Sequence, residues 1–349
     1  MIISRTPFRI SLFGGGTDYP GWIREHGGAV LGMAIDKYCF ISLRSLPPFF
    51  DYKHRIAYSK IEVVKDVADI EHPAVRAALT EMGVASGIEV QHGGDLPARS
   101  GLGSSSSFTV GLLNALYAMR GMRRSRYDLA RDAIHLEQNV IGEAVGCQDQ
   151  VWAAYGGTNR IDFFQDGSFA VTPLMLSVSR RDEFRASMIF VFTGLSRTAA
   201  EIASQQIANL RDRRSQLFRM RAMVDEGEAL LTDDSEPAWR IGELLDESWQ
   251  LKKQLAGAVS NSTVDGIYDS ALAAGASGGK LLGAGGGGFM VFLVKPQKRK
   301  AVLKALAGLV TVDVGFDQAG SQIVVYEPGM EPAAARWNHR PNFVHCEAL

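Results

Sequence analysis

Cysteine is scarce in this chain of 349 residues: there are three, Cys39, Cys147 and Cys346, widely separated. An odd, scattered set offers neither a disulfide framework nor a zinc-ligand pattern. An excess of one charge is also missing. Lys and Arg number 37 against 38 Asp and Glu, a formal net charge of −1, so there is no basic footprint for nucleic acid. Apolar runs are short: Phe289 to Val294 is among the longest, far below the ~20 residues that span a bilayer. The opening stretch, MIISRTPFRISLFGGG, has no apolar segment ending in a small-residue cleavage site, so no signal peptide is read there. These absences give the expectation of a reduced, soluble, cytoplasmic protein without membrane or nucleic-acid partners.

Glycine is what the chain has in excess. Its 37 glycines are about a tenth of the residues, against the ~7% usual in proteins. They cluster at Gly14 to Gly16, Gly93 to Gly103, Gly156 with Gly157, and Gly275 to Gly288. Each cluster adjoins a strand- or helix-like segment, unlike collagen or a low-complexity linker. Glycine at such places permits positive φ or a close approach of backbone to ligand.

At ~150 residues per domain the length predicts about two domains. Ile10 to Phe13, Cys39 to Leu43, Ile56 to Tyr58, Ile61 to Val64 and Ile88 to His92 read as strands. His72 to Met82 reads as a helix opened by Pro73. Phe108, Leu112 and Leu116 recur every four residues in a helix from Ser105 to Met119, and a second helix runs from Arg126 to Ile141. Composition turns β-like and turn-rich from Gly156 to Val171, which divides the chain into domains 1–170 and 171–349. In the second, Met188 to Phe192 is strand-like, Ala199 to Leu231 a long helical region, and Pro237 to Gly257 and Val264 to Ala274 further helices. A strand ends the segment Leu281 to Val294, Lys298 to Leu309 is helical, and Val310 to Val314 and Ile323 to Tyr326 are strands. From about 329 the tail has no periodicity. Strands mixed with helices, without strict alternation, favour an α+β fold over a doubly wound sheet.

Three glycine-rich segments carry the chemistry. In the strongest, Gly93-Gly94-Asp95-Leu96-Pro97-Ala98-Arg99-Ser100-Gly101-Leu102-Gly103 leads into Ser104 to Ser107 and an amphipathic helix. Serines and glycines at a helix N-terminus present free N–H groups, hydroxyls and the positive end of the dipole, which together suit an anion. Alone, the segment reads equally as a serine-capped helix after a glycine turn. It has no Gly-Lys-Ser/Thr ending, so it is not a Walker A loop, and it lacks the third glycine of a dinucleotide fingerprint. In the second segment, Thr6 to Tyr19, Arg9 and Asp18 flank the Gly14-Gly15-Gly16 turn; taken singly, Arg9 reads as a surface arginine and Asp18 as a turn cap. The third, Lys280-Leu281-Leu282-Gly283-Ala284-Gly285-Gly286-Gly287-Gly288-Phe289, has five glycines in six positions. That density is costly within a strand, so a ligand or another segment must lie close to its backbone.

In this order the three segments resemble the signature motifs of the GHMP small-molecule kinases, over nearly the whole chain from Thr6 to about Tyr326. Glu137, followed by Gly146-Cys147-Gln148-Asp149-Gln150 and Gly156-Gly157, is similar to the family's metal-ligand glutamate and active-site acid. The version Gly14-Gly15-Gly16-Thr17-Asp18-Tyr19 departs from galactokinases, which carry Glu-His where this chain has Gly15-Gly16. With Thr193-Gly194-Leu195-Ser196-Arg197 and the third motif, the pattern resembles the D-glycero-D-manno-heptose 7-phosphate kinases of surface-polysaccharide biosynthesis.

The resemblance implies a two-domain fold with the active site in the cleft between domains, and ATP with Mg2+ as cofactors. It implies transfer of a phosphoryl group to an anomeric hydroxyl. Asp149 is then the acid that accepts or holds the hydroxyl proton, with Arg9 beside it. Arg99, Ser100, Gly101, Leu102, Gly103, Ser104, Ser105, Ser106 and Ser107 form the ATP loop. Ser105 and Glu137 are the magnesium ligands, with Ser104 and Ser106 as alternatives to Ser105. Asp18, Gly15, Gly16, Gly285 and Gly286 line the sugar site, and Arg197 or Lys280 meets the distal phosphate. A kinase of an unphosphorylated galactose-, fucose- or mannose-type sugar, or a sugar- and ATP-binding regulator, stays open, as does assembly into a homo-oligomer.

Overall fold

The computed structural model describes residues 1–84, 86–195 and 199–327. Arg197 and the tail from 329 lie outside the described residues. Two long antiparallel neighbours, β1 (Ile2–Phe13) and β2 (Gly28–Ser45), form the centre of the larger sheet, with α1 (Pro20–His26) between them in sequence. Every residue from Thr6 to Phe13 and from Gly28 to Ile35 is buried. Strands covered on both faces show no alternation, which is why the sequence reading caught only Ile10 to Phe13 and the alternating half, Cys39 to Leu43.

Along its other edge β2 has two partners. Its first half pairs with β6 (Thr158–Phe163) and its second with β5 (Ile88–Gly94). The short strands β3 (His54–Ala57) and β4 (Ile61–Val64) extend the β5 branch, and β7 (Phe169–Pro173) the β6 branch. One face of this sheet carries α3 (Ser104–Met119), which also packs on α4 (Arg126–His135) and α5 (Gln148–Tyr155). The helix α2 (Pro73–Glu81) lies against α3. Enclosed this way, α3 buries Val110 and Ala115 as well as the expected apolar face of Phe108, Leu112, Leu113, Leu116 and Tyr117. Gly111 lets it reach the sheet: a Cβ there would stand 2.8 Å from the Thr6 hydroxyl.

The smaller sheet is antiparallel, in the order β11 (Val310–Thr311), β8 (Met188–Phe192), β10 (Phe289–Val294), β9 (Ala276–Leu281). Among the described residues six α-helices belong to this half: α6 (Val178–Ser187), α7 (Ala199–Ala208), α8 (Arg214–Thr232), α9 (Ile241–Lys253), α10 (Ser262–Ala273) and α11 (Arg299–Ala305). The helical region expected over 199–231 is therefore two helices. The Asn209 side chain, donating to the Leu255 carbonyl at 2.9 Å, anchors the turn between them. The helix expected to run to Ile141 changes to a π-helix at Leu136–Ile141.

The cut at 170/171 falls inside β7, and the chain crosses it again. Strand β12 (Gln322–Tyr326) returns to the larger sheet and pairs antiparallel with β1 from Ile2 to Arg5. An open β1 edge would leave backbone groups unpaired. One hydrophobic core also runs through both sheets, joining Phe8 and Ile10 to Phe289 and Leu293.

Candidate active site

The anion-binding segment folds as a tight loop ahead of α3. Arg99, Gly101 and Gly103 all have positive φ, at 59°, 81° and 72°. Gly103 is the N-cap and offers no side chain, so the first-turn amides of α3 are left without a side-chain cap. That removes the alternative of a serine-capped helix. The serines have separate duties. Ser104 Oγ accepts from the Arg99 amide at 3.2 Å, Ser106 Oγ donates to Glu137 at 2.9 Å, and Ser107 Oγ donates to the Pro7 carbonyl at 2.8 Å. Ser105 is exposed, and the buried Ser100 hydroxyl has no partner among the described residues.

The loop is tied to β1 through Arg9, whose amide donates to the Leu102 carbonyl at 3.1 Å and whose Nη1 donates to the Gly101 carbonyl at 2.6 Å. The same guanidinium grips Asp149, in the first turn of α5, in bidentate fashion: Nε to Oδ1 at 2.8 Å and Nη2 to Oδ2 at 2.7 Å. Such fork-to-fork pairing fixes orientation as well as charge. Arg9 is buried, whereas a quarter of the Asp149 side chain remains exposed. A Cβ on Gly103 would meet Asp149 Oδ2 at 3.3 Å, so the carboxylate stands directly beside the phosphate-type loop.

Asp18 is buried and bonded into its own turn. Its Oδ1 accepts from the Gly16 amide at 2.9 Å and its Oδ2 from the Gln148 amide at 3.4 Å. A Cβ at Gly146 would collide with Oδ2, at 1.9 Å. Burial is the main force raising the Asp18 pKa, with the Asp149 charge adding to it and the Gly16 and Gln148 hydrogen bonds opposing it. Gly15 faces Gln148 and Ser11, each 3.8 Å from a Cβ placed there. Gln148 Oε1 and Ser11 Oγ are buried without partners among the described residues. Gly16 faces Leu217 and Leu255 instead.

Glu137 sits in the π-helix, a geometry often found at functional positions. It is almost fully buried; Oε2 accepts from Ser106 Oγ and from the Gln150 amide, and Oε1 has no partner among the described residues. Burial pushes its pKa up to about 7 against the hydrogen bonds of Thr109, Gln150 and Ser106. An idle buried carboxylate oxygen beside a hydroxyl fits a hard oxygen-seeking cation such as magnesium, which completes its shell with phosphates and water. The serine that shares this carboxylate is Ser106, not Ser105: in the first turn of α3, Ser106 turns inward and Ser105 outward.

The third glycine segment packs on the first loop. A Cβ at Gly283 would stand 2.5 Å from Gly101 Cα, and the Phe289 amide donates to the Ser100 carbonyl at 3.0 Å. Gly285 and Gly286 have a different neighbour. Gly285 lies against the Val259 backbone, and the Gly286 amide donates to the Val259 carbonyl at 2.9 Å. Lys280 is buried and donates to the Leu12 carbonyl at 2.8 Å, so it is not an open phosphate clamp. Arg197 falls outside the described residues. The sequence reading missed Lys252, and it quoted Gln148 and Gln150 beside Asp149 without giving them a role. Lys252 had a signal, because it continues the inward stripe Ile241, Leu244, Leu245, Ser248, Trp249.

A cation-held aspartate beside an uncapped, glycine-bounded helix N-terminus fits a small-molecule kinase site. Comparison with known proteins agrees. The family descriptions "GHMP kinases N terminal domain" and "GHMP kinases C terminal" match residues 63–157 and 239–309. The chain is 30% identical over 320 residues to the D-glycero-alpha-D-manno-heptose 7-phosphate kinase of Campylobacter jejuni subsp. jejuni serotype O:2, covering 87% of this chain and 93% of that protein. A crystal structure described as a D-glycero-D-manno-heptose 1-phosphate kinase from Bacteroides thetaiotaomicron superposes with a TM-score of 0.69 at 26% identity, covering 92% of this chain and 98% of the other. The bifunctional fucokinase/GDP-fucose pyrophosphorylase of Arabidopsis thaliana is 26% identical over 326 residues, 85% of this chain and 30% of that longer protein. The chain belongs to the GHMP kinases, and is an ATP-dependent phosphotransferase of the sugar-kinase type. No helix among the described residues is long and apolar enough to cross a membrane.

Proposed function

We propose that this chain transfers the γ-phosphoryl group of ATP to the anomeric hydroxyl of D-glycero-D-manno-heptose 7-phosphate, giving the 1,7-bisphosphate for nucleotide-activated heptose in capsule or surface polysaccharide. The observation that carries the chemistry is the Arg9–Asp149 pair beside Gly103. The observation that favours the sugar is the likeness to the Campylobacter jejuni enzyme over 93% of its length. In this reading residues 1–170, joined by β12, bind nucleotide and hold the acid. The remainder of 171–349 supplies the third glycine loop, and the reaction takes place in the cytoplasm.

Phosphoryl transfer is catalysed chiefly by positioning and charge neutralisation. The uncapped amides of α3 and the loop 99–107 cradle the phosphates. Asp149 takes the hydroxyl proton on its exposed side, while Arg9 fixes both carboxylate oxygens and balances charge on the group in transit. Glu137 and Ser106 would hold magnesium, which when bound neutralises phosphate charge. The Ser11 hydroxyl and Gln148 Oε1, buried and without partners among the described residues beside Gly15, offer hydrogen bonds to sugar hydroxyls.

A second reading, a kinase of an unphosphorylated sugar, is favoured by the fucokinase likeness. The two heptose-kinase relatives also differ in the phosphate position their descriptions give, 7-phosphate and 1-phosphate. One experiment separates these readings: ADP release with heptose 7-phosphate, heptose 1-phosphate, mannose, galactose and fucose, with phosphorus NMR of the product. A new anomeric phosphate formed fastest from heptose 7-phosphate supports the proposal. Preference for a free sugar, or a product phosphorylated away from the anomeric carbon, overturns it.

A further inference from the structure

Two buried lysines have no part in the site as described so far. Lys252, on the inward face of α9, donates to the carbonyls of Leu281, at 3.0 Å, and Gly283. Lys280, in β9, donates to the Leu12 carbonyl at 2.8 Å. Among the described residues neither has a carboxylate partner, and an unpaired buried ammonium is costly. They also lie close enough to Arg9 to feel its charge. Lys252 is held well below the ordinary lysine range by burial first, then by Lys280 and Arg9. Lys280 is lowered to about 7 by burial and then by Arg9. The carboxylate that Arg9 holds, Asp149, already gives both oxygens to that arginine.

What the lysines hold is the support of the phosphate loop. Gly283 packs on Gly101, whose carbonyl receives Arg9 Nη1. Leu12 lies three residues beyond Arg9 in the same strand. The second half of the chain thus reaches the catalytic arginine through two ammonium groups on backbone carbonyls. We infer that Lys252 and Lys280 are positioning residues for phosphoryl transfer, a buried cation pair whose missing counter-charge is the polyphosphate of bound nucleotide. The two lysines set the loop in place and add positive potential beneath it, without touching the reacting atoms. This rests on the kinase assignment and not on which sugar is phosphorylated.

The test is calorimetric binding of ADP, without metal or sugar, to the full chain and to Lys252→Met and Lys280→Met, at about pH 8.5 in two buffers of unlike ionisation enthalpy. At that pH Glu137, near 7, is already ionised, and His72 and His92, both lowered by burial, are neutral. Protons taken up on binding therefore report the lysines. The wild type should take up protons, and each variant should bind ADP about tenfold more weakly with less uptake, the scale of a lost charge-assisted contact. Wild-type affinity in both variants, with only a lowered melting temperature, would assign the lysines to fold stability and overturn the inference. Should the variants not fold, the wild type alone decides: binding without proton uptake also overturns it. Sugar turnover does not enter, so failure of the heptose assignment leaves this result standing.

Discussion

Two carboxylates flank the first turn of α3, and the chain treats them in opposite ways. Asp149 has both oxygens bound to a fixed guanidinium and keeps a quarter of its side chain open. Glu137 is enclosed, with Oε2 accepting from a hydroxyl and an amide and Oε1 without a partner among the described residues. The first carries its compensating charge within the chain. In the proposed mechanism the second receives its charge from outside, as magnesium, and without it burial holds the carboxyl near 7. On that reading the pre-paired group acts on a proton and the other receives a cation.

The largest effect that would break this contrast is at Asp149. Asp149→Asn keeps the shape but loses the proton acceptor and half of the Arg9 pair, so kcat should fall about 10³-fold while ADP affinity stays within a few-fold. Steady-state kinetics beside a binding isotherm checks it, and a mild loss of kcat would move the acid elsewhere. Glu137→Gln comes next and has a pH signature. The folded pKa of Glu137 lies above its ordinary value, so both states are protonated at low pH. The folded state loses stability as pH rises from about 4.5 through 7. Between pH 5 and pH 8 this group alone should cost the metal-free wild type on the order of 2 kcal/mol, read as the difference in pH dependence between wild type and the glutamine variant, because His54, His72 and His92, lowered by burial, act with the opposite sign in both. Added magnesium should restore stability at pH 8 in the wild type alone; melting curves at the two pH values give the answer. The smallest contrast separates neighbouring serines. Ser106→Ala should raise the magnesium requirement about tenfold through a lost charge-assisted hydrogen bond, and Ser105→Ala should leave it nearly unchanged. Equal effects in a magnesium titration would put the exposed hydroxyl back among the ligands.

The parts of this molecule that could be read in advance are those where a local rule and the tertiary context agree. The amphipathic run through Phe108, Leu112 and Leu116, the apolar strand Met188 to Phe192 and the three glycine segments are of this kind. Strand β2 was read only in the half that alternates, because its first eight residues are covered on both faces. The short helix α5 was not anticipated, since eight residues give too little periodicity to see. At the site, the resemblance named Arg9, Glu137 and Asp149 but could not choose among adjacent serines. That choice depends on which side of α3 faces the π-helix, a matter of packing. Lys252 sits next to the half-exposed Lys253, and only its place on the inward stripe of α9 tells the two apart.

The return of β12 to β1 has a consequence for how the protein comes into being. Arg9 belongs to a strand made more than 300 residues before β12, yet Ile2 to Arg5 find their outer partners only at Gln322 to Tyr326. During synthesis β1 must wait with one edge bare while more than 300 residues are added, a contact of high sequence separation and slow to form. A nascent chain stalled before that strand would hold Arg9 in an unfinished sheet with an open edge for a neighbouring chain to occupy.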